Sequence, residues 1–164
     1  MSLAAGLLIA LLTVIGMEGV AYVAHRYLMH GRMWCWHASH HARRDGWFEL
    51  NDMFAVVFAL VSVVLIYLDG AAAWIGWGMV GYGVIYALFH DGLVHGRIPL
   101  PQKLKQLPYL RHLVRAHYLH HAAHTKDGAV SYGFMYAPPL PKLRAAFRAA
   151  ATKRRAAGQN SGQG

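Results

Sequence analysis

Three long stretches with almost no charge limit the fold of this chain more than any other feature. Residues 2–24 hold a single charged side chain, Glu18, while residues 53–68 and 71–89 hold none. Helices of roughly 17–25 apolar residues cross a bilayer core of about 30 Å, and the second run is short enough to need its polar flanks or a thin bilayer. A chain of 164 residues, 56% hydrophobic with a mean hydropathy of +0.27, has too little mass to bury three such runs in a soluble core. The expectation is therefore an all-α integral membrane protein with about three transmembrane helices, at residues 2–30, 53–68 and 71–95.

The basic residues orient those helices. All sixteen Lys and Arg lie in two blocks, residues 26–44 and 97–155, and the link at Asp69 and Gly70 carries none. Basic loops stay on the cytoplasmic side, which predicts the N-terminus outside and the C-terminus inside. The formal charge of +9 then reflects topology and anionic lipid rather than nucleic acid, since the charges lack a soluble domain of their own. The start of the chain has no basic segment of the signal-peptide kind. Trp34, Trp36 and Trp47 read as interfacial anchors. Leu143, Ala146, Phe147 and Ala150 form one side of a basic amphipathic C-terminal stretch, of a kind that lies on membrane surfaces. Residues 1–155 are expected to form one domain, with 156–164 a disordered tail.

Twelve histidines stand against seven acidic residues, and ten of them fall into a repeated pattern. His25 and His30 form H-x4-H, and His37, His40 and His41 form H-x2-H-H. His90 and His95 then repeat the first motif, and His117, His120 and His121 repeat the second. Positions i, i+3 and i+4 share a helical face, so H-x2-H-H can converge on one metal or on two adjacent ones. H-x4-H is awkward, because i and i+5 differ by about 140° on an α-helix and must straddle a site or lie at a helix end. The orientation drawn from Lys and Arg alone puts all four motifs on the cytoplasmic side. Clustered imidazoles would repel one another once protonated, which favours a bound cation over a pH switch. Ten neutral imidazoles are too many for one ion and fit two metals with four or five nitrogens each.

Metal-bound imidazoles need partners that orient them. Glu18 lies about two turns before His25 on the same face, and Asp91 adjoins His90. Glu49, Asn51 and Asp52 are further candidates, with helix capping and an interfacial position as their alternative roles. Glycines 76, 78, 81 and 83 allow close helix packing, or a slot for a flat apolar substrate. Cys35 is the only cysteine, so no internal disulfide forms.

Across residues 17–139 the chain resembles the bacterial carotenoid β-ring hydroxylases, a branch of the fatty-acid hydroxylase superfamily of membrane di-iron enzymes. The likeness rests on "MEGVAYVAHRYLMHG", "WHASHHARRDGWFELNDMFAVVFA", "HDGLVHGRIP", "HYLHHAAH" and "GAVSYGFMYAPP". It implies a bacterial inner-membrane enzyme that hydroxylates the β-ionone ring at carbon 3 with O2, taking β-carotene to β-cryptoxanthin and zeaxanthin, or canthaxanthin to astaxanthin. It also implies two non-haem iron ions, with zinc as a stand-in on purification, and a reduced ferredoxin as electron donor. On that pattern the ten motif histidines are the metal ligands, and His112 and His124 are supporting or structural. Ketolation at carbon 4, fatty-acyl hydroxylation or desaturation, and a non-catalytic metal or haem protein stay open as alternatives.

Overall fold

The computed structural model describes residues 1–42 and 46–160. The chain is helical, with no strand among the described residues. Helix α1 (Leu3–Val23) begins at Ser2, whose hydroxyl accepts a hydrogen bond from Ala5 N, the usual device for satisfying a free N-terminal amide. It runs directly into a π-helical segment, Ala24–Arg32, whose path breaks at Gly31 (φ −114°, ψ −117°). Helix α2 (Trp34–His41) follows. Helices α3 (Asp52–Tyr67) and α4 (Gly70–Tyr86) meet at a tight turn, where Asp69 and Gly70 both take positive φ, 59° and 60°. Helix α4 continues into a second π-helical segment, Ala87–Val94. A 3-10 turn (Gln102–Gln106) leads to α5 (Pro108–His121), which opens on its proline, and the last helix is α6 (Leu140–Asn160).

Two helices, Leu3–Arg32 and Gly70–Val94, are long and apolar enough to cross a membrane. The third expected span is shorter: α3 has 16 residues, about 24 Å of helix. Helix α4 is central, with α1 and α3 packed on it. Glycines permit the approach. A Cβ on Gly78 would lie 2.6 Å from Ala10 O of α1, and one on Gly76 would lie 2.7 Å from Ser62 O of α3. The outer faces are apolar instead of polar: Leu7, Leu11, Ile15, Leu60, Val64 and Trp77 are each more than half exposed. Apolar surface on this scale marks a membrane or an interface.

A buried apolar cluster lies at one end of the bundle, where Phe89, Leu93 and Val94 join Leu113, Val114 and Phe134. Helix α6 docks there. Leu143 is buried and Phe147 packs against the same core, so these two side chains of the amphipathic stripe face protein instead of a membrane surface, while Ala146 is exposed. Helix α6 extends to Asn160, and the rest of the expected tail, residues 161–164, lies outside the described residues.

Substituting Gly78→Leu should force α1 off α4, lowering stability by about 1–3 kcal/mol. A thermal unfolding scan in detergent checks this, and a transition matching the parent's would show that the helices do not depend on this contact.

Candidate metal centre

The first H-x4-H motif lies within the π-helical segment Ala24–Arg32, and the second begins in Ala87–Val94 and ends on its C-cap residue, His95. In that geometry the backbone bonds run from i to i+5, as His95 N to His90 O does at 3.0 Å. The widened turn brings residues five apart back to one face, which an α-helix cannot do. His25 and His30 therefore point together, as do His90 and His95.

Nine of the ten motif histidines fall into two sets. In the first, ring nitrogens of His25, His30, His37 and His120 lie within 4.8 Å of one another; in the second, those of His40, His90, His95, His117 and His121 do. Each H-x4-H pair stays whole, whereas each H-x2-H-H motif is divided between the sets. His41, the tenth, places its Nε2 3.2 Å from His37 Nε2. Its ring also lies 4.9 Å from that of His120 and 4.7 Å from that of His121.

The hydrogen bonds determine what these nitrogens can do. In the first set, Nδ1 of His25 donates to Tyr132 O (2.9 Å), that of His30 to Lys126 O (2.9 Å), and that of His120 to Val130 O (3.1 Å). His37 Nδ1 donates to Asn51 Oδ1 at 2.7 Å. In the second set, His40 Nδ1 donates to Glu49 Oε2 (3.0 Å) and His90 Nδ1 to Asp91 Oδ1 (2.9 Å). Carbonyl and carboxylate oxygens only accept, so each of these six rings carries its proton on Nδ1. Burial holds His37 down to about 4, His121 to about 3 and His41 to about 2, and keeps His40, His117 and His120 well below the ordinary histidine value. These rings are neutral at pH 7. In the six rings whose proton sits on Nδ1, the Nε2 atoms carry lone pairs.

Those lone pairs face each other. Nε2 of His25 lies 3.1 Å from that of His37, His30 from His120 at 3.2 Å, and His90 from His40 at 2.9 Å. With both protons already on Nδ1, such pairs cannot be hydrogen bonds and repel unless a cation lies between them. The spacing fits one: with metal–nitrogen bonds of about 2.1 Å, neighbouring ligands at right angles sit about 3.0 Å apart and opposed ones about 4.2 Å. Four or five nitrogens gathered round a point leave no equatorial plane for a porphyrin, which counts against haem.

A match to the fatty acid hydroxylase family spans residues 10–138. The chain belongs to that family. It is similar to the beta-carotene hydroxylase of Pantoea ananas, 52% identical over 145 residues that cover 86% of this chain and 82% of the relative. It is also similar to the beta-carotene hydroxylase of Paracoccus sp. (strain PC1), 46% identical over 142 residues, 84% and 87% of the two chains. The chloroplastic beta-carotene 3-hydroxylase 2 of Arabidopsis thaliana is 40% identical over 132 residues, 76% of this chain and 43% of the plant protein. No solved structure matches.

In this fatty acid hydroxylase family chain, Asn51, Glu49 and Asp91 sit against the imidazoles of His37, His40 and His90. Asn51 does so in place of capping α3, since its side chain makes no cap hydrogen bond there. Asp52 instead holds Arg97 through two bonds, at 2.7 and 2.6 Å, and accepts from Glu49 N at 2.9 Å. Arg97 also lies 3.6 Å from Asp91. Glu18 acts at one remove from the rings. Its Oε1 accepts from the backbone amides of Phe134, Met135 and Tyr136 (2.9, 2.9 and 3.0 Å), and its Oε2 from the Tyr82 hydroxyl (2.9 Å). Those amides belong to the loop that supplies Val130 O and Tyr132 O. Gly133 is needed there, because a Cβ would lie 2.6 Å from both Glu18 Oε1 and Tyr136 O.

His112 supports the same loop, its Nε2 donating to Ala137 O at 3.0 Å, and the Tyr109 hydroxyl bonds Met135 O. His124 is exposed. Sequence reasoning missed the three backbone acceptors, Lys126, Val130 and Tyr132, along with Arg97. It also placed Trp34 among interfacial anchors, whereas its ring lies 5.2 Å from that of His30 and 5.3 Å from that of His41. Of the other two, Trp36 packs against Phe54 and Trp47 is exposed.

An apolar cavity of about 380 Å³ runs between α1, α3 and α4. Met17, Phe58 and Met79 line it, Asn51 and Asp91 stand at its polar end, and Gly83 gives it width. Of the glycines on α4, 76 and 78 thus serve packing and 83 serves the slot.

Replacing Asn51 with Leu removes the acceptor that fixes His37. Bound metal per purified chain should fall, with metal affinity lowered about 10–100-fold. Parent-like metal content by elemental analysis would show that His37 is oriented without it.

Proposed function

We propose that this chain hydroxylates the β-ionone ring of carotenoids at carbon 3, converting β-carotene to β-cryptoxanthin and then zeaxanthin, and canthaxanthin to astaxanthin. The observation that carries this reading is the adjacency of two convergent sets of imidazole nitrogens to an apolar slot between α1, α3 and α4. The ring of β-carotene offers no polar handle, so it must be held by shape in an apolar channel and oxidised at a metal. The relatives named as beta-carotene hydroxylases support the same substrate.

Two iron ions fit the donor set. His25, His30, His37, His41 and His120 would hold one, and His40, His90, His95, His117 and His121 the other. Bound iron supplies the activation of O2 that an unactivated ring C–H requires. The protein's own part is orientation and exclusion: Asn51, Glu49, Asp91 and the loop carbonyls aim the rings, and the slot keeps water from the reacting carbon. Neutral nitrogen ligands leave the ions' charge uncompensated, unlike the carboxylate-rich di-iron bundles.

The membrane arrangement follows the basic residues. Helices α1, α3 and α4 form three spans of a bacterial inner-membrane protein, with the N-terminus outside and the histidines at the cytoplasmic boundary, where a bilayer-dissolved ring meets the site. Helix α3, the short one, needs its polar flanks or a thinned bilayer. Exposed Arg111, Arg115, Lys142, Arg144 and Arg148 present a basic surface that steers an acidic reduced ferredoxin toward the centre.

The test is expression of the chain in a β-carotene-producing host with chromatography of the pigments. Zeaxanthin is expected; ketocarotenoids without zeaxanthin, or altered fatty acids alone, would overturn the reading. His40→Ala should cut zeaxanthin output more than about 100-fold while the protein stays in the membrane, and His124→Ala should keep at least about half of it.

A further inference from the structure

A second apolar cavity, about 140 Å³, lies on the far side of α4 against α5. It shares three lining residues with the slot: Tyr82, Tyr86 and Phe134. These aromatic rings are a wall between the two spaces. Tyr82 and Tyr86 come from α4, where Tyr82 is tied to Glu18 and Tyr86 stacks on His90 at 4.5 Å. Phe134 comes from the loop and closes the wall against them, with its ring 4.8 Å from that of Tyr86 at 80°.

Phe134 also touches both histidine sets. Its ring stacks on His25 (5.3 Å, 6°), meets His90 edge-on (5.4 Å, 89°) and lies 5.9 Å from His117. It is 6% exposed, and its amide is one of the three held by Glu18. A flat apolar group entering the slot toward the centre therefore ends against a fixed ring, and beyond that ring there is further apolar space it is barred from entering.

We propose that Phe134 is a specificity-determining residue: it divides one apolar space into a substrate slot and a separate annex, and so sets which ring carbon faces the metals. The proposal rests on the carotenoid-ring reading above. An apolar ring is guided by fit alone, and small changes of pocket volume alter such discrimination roughly 10–200-fold. Removing the partition joins the two cavities and frees the ring to slide or rotate.

The experiment uses the full chain, loaded with iron, as parent, Phe134→Ala and Phe134→Leu. Three quantities are read: iron per chain, positions of hydroxylation on β-carotene, and binding of β-ionone, the same ring with a short enone chain, by calorimetry. Phe134→Ala should keep the parent's iron content while products hydroxylated at carbon 2 or 4 rise about tenfold relative to carbon 3, with Phe134→Leu between the two. Its β-ionone binding should weaken about tenfold. An iron-loaded Phe134→Ala with unchanged product positions and unchanged β-ionone binding overturns the proposal. Iron loss in both variants also overturns it, since Phe134 would then be a support for the histidines. If the parent makes no 3-hydroxy rings, the carotenoid reading fails by itself, and the binding comparison alone decides whether the partition exists.

Discussion

An imidazole presents a lone pair at Nε2 only when its proton is kept on Nδ1, and in a buried site that requires an acceptor facing each Nδ1. Much of this fold follows from supplying those acceptors. Three come from backbone carbonyls, at Lys126, Val130 and Tyr132, and three from the side chains of Asn51, Glu49 and Asp91. The segment after α5 must therefore fold back over the end of α1, bringing residues roughly a hundred positions apart into contact. The result is a set of Nε2 atoms about 3 Å apart whose mutual repulsion has no internal remedy. Metal binding removes that repulsion, so here, as in other metal-dependent folds, metal affinity and the stability of the assembled site are coupled.

Glu18 shows how far this requirement reaches. A carboxylate inside an apolar helix is costly and persists only with strong partners. Its partners are three consecutive backbone amides and one tyrosine hydroxyl, and charge-assisted bonds of this kind are stronger than neutral ones. Through them α1 fixes the position of the loop, and the loop fixes His25 and His120. Ser131 sits between the two carbonyls that serve those histidines, with φ at +64°. That conformation is uncommon for a residue other than glycine. Local backbone cost of this sort recurs at functional sites, where the surroundings over-determine the conformation.

The apolar runs and the four histidine motifs were legible because their signals are compositional and periodic. The helices at 3–32, 52–67 and 70–94 fall where the charge-free stretches put them. What lay beyond reach was geometry without a side-chain signature. An H-x4-H pair looks ill-spaced for an α-helix, and the π-helical turn that reconciles it is a backbone choice that residue types at 24–32 and 87–94 do not announce. Backbone acceptors are equally silent. "GAVSYGFMYAPP" was recognisable as a family stretch, yet nothing in its letters says that Val130 and Tyr132 serve through their carbonyls. Asn51 was open to two uses, as cap or as imidazole partner, and only the fold decides between them. The same holds for Trp34, whose chemistry suits a headgroup region and a histidine cluster alike.

The loop at 129–137 also joins two problems that a site of this kind must solve together. A metal with nitrogen ligands must be held in a fixed direction, and an apolar substrate must be stopped at a fixed distance from it. Val130 and Tyr132 do the first through their carbonyls, and Phe134, which lines the slot, is the residue proposed for the second. Because all three hang on the Glu18 clamp, a shift of the loop would move ligand orientation and substrate stop in the same step.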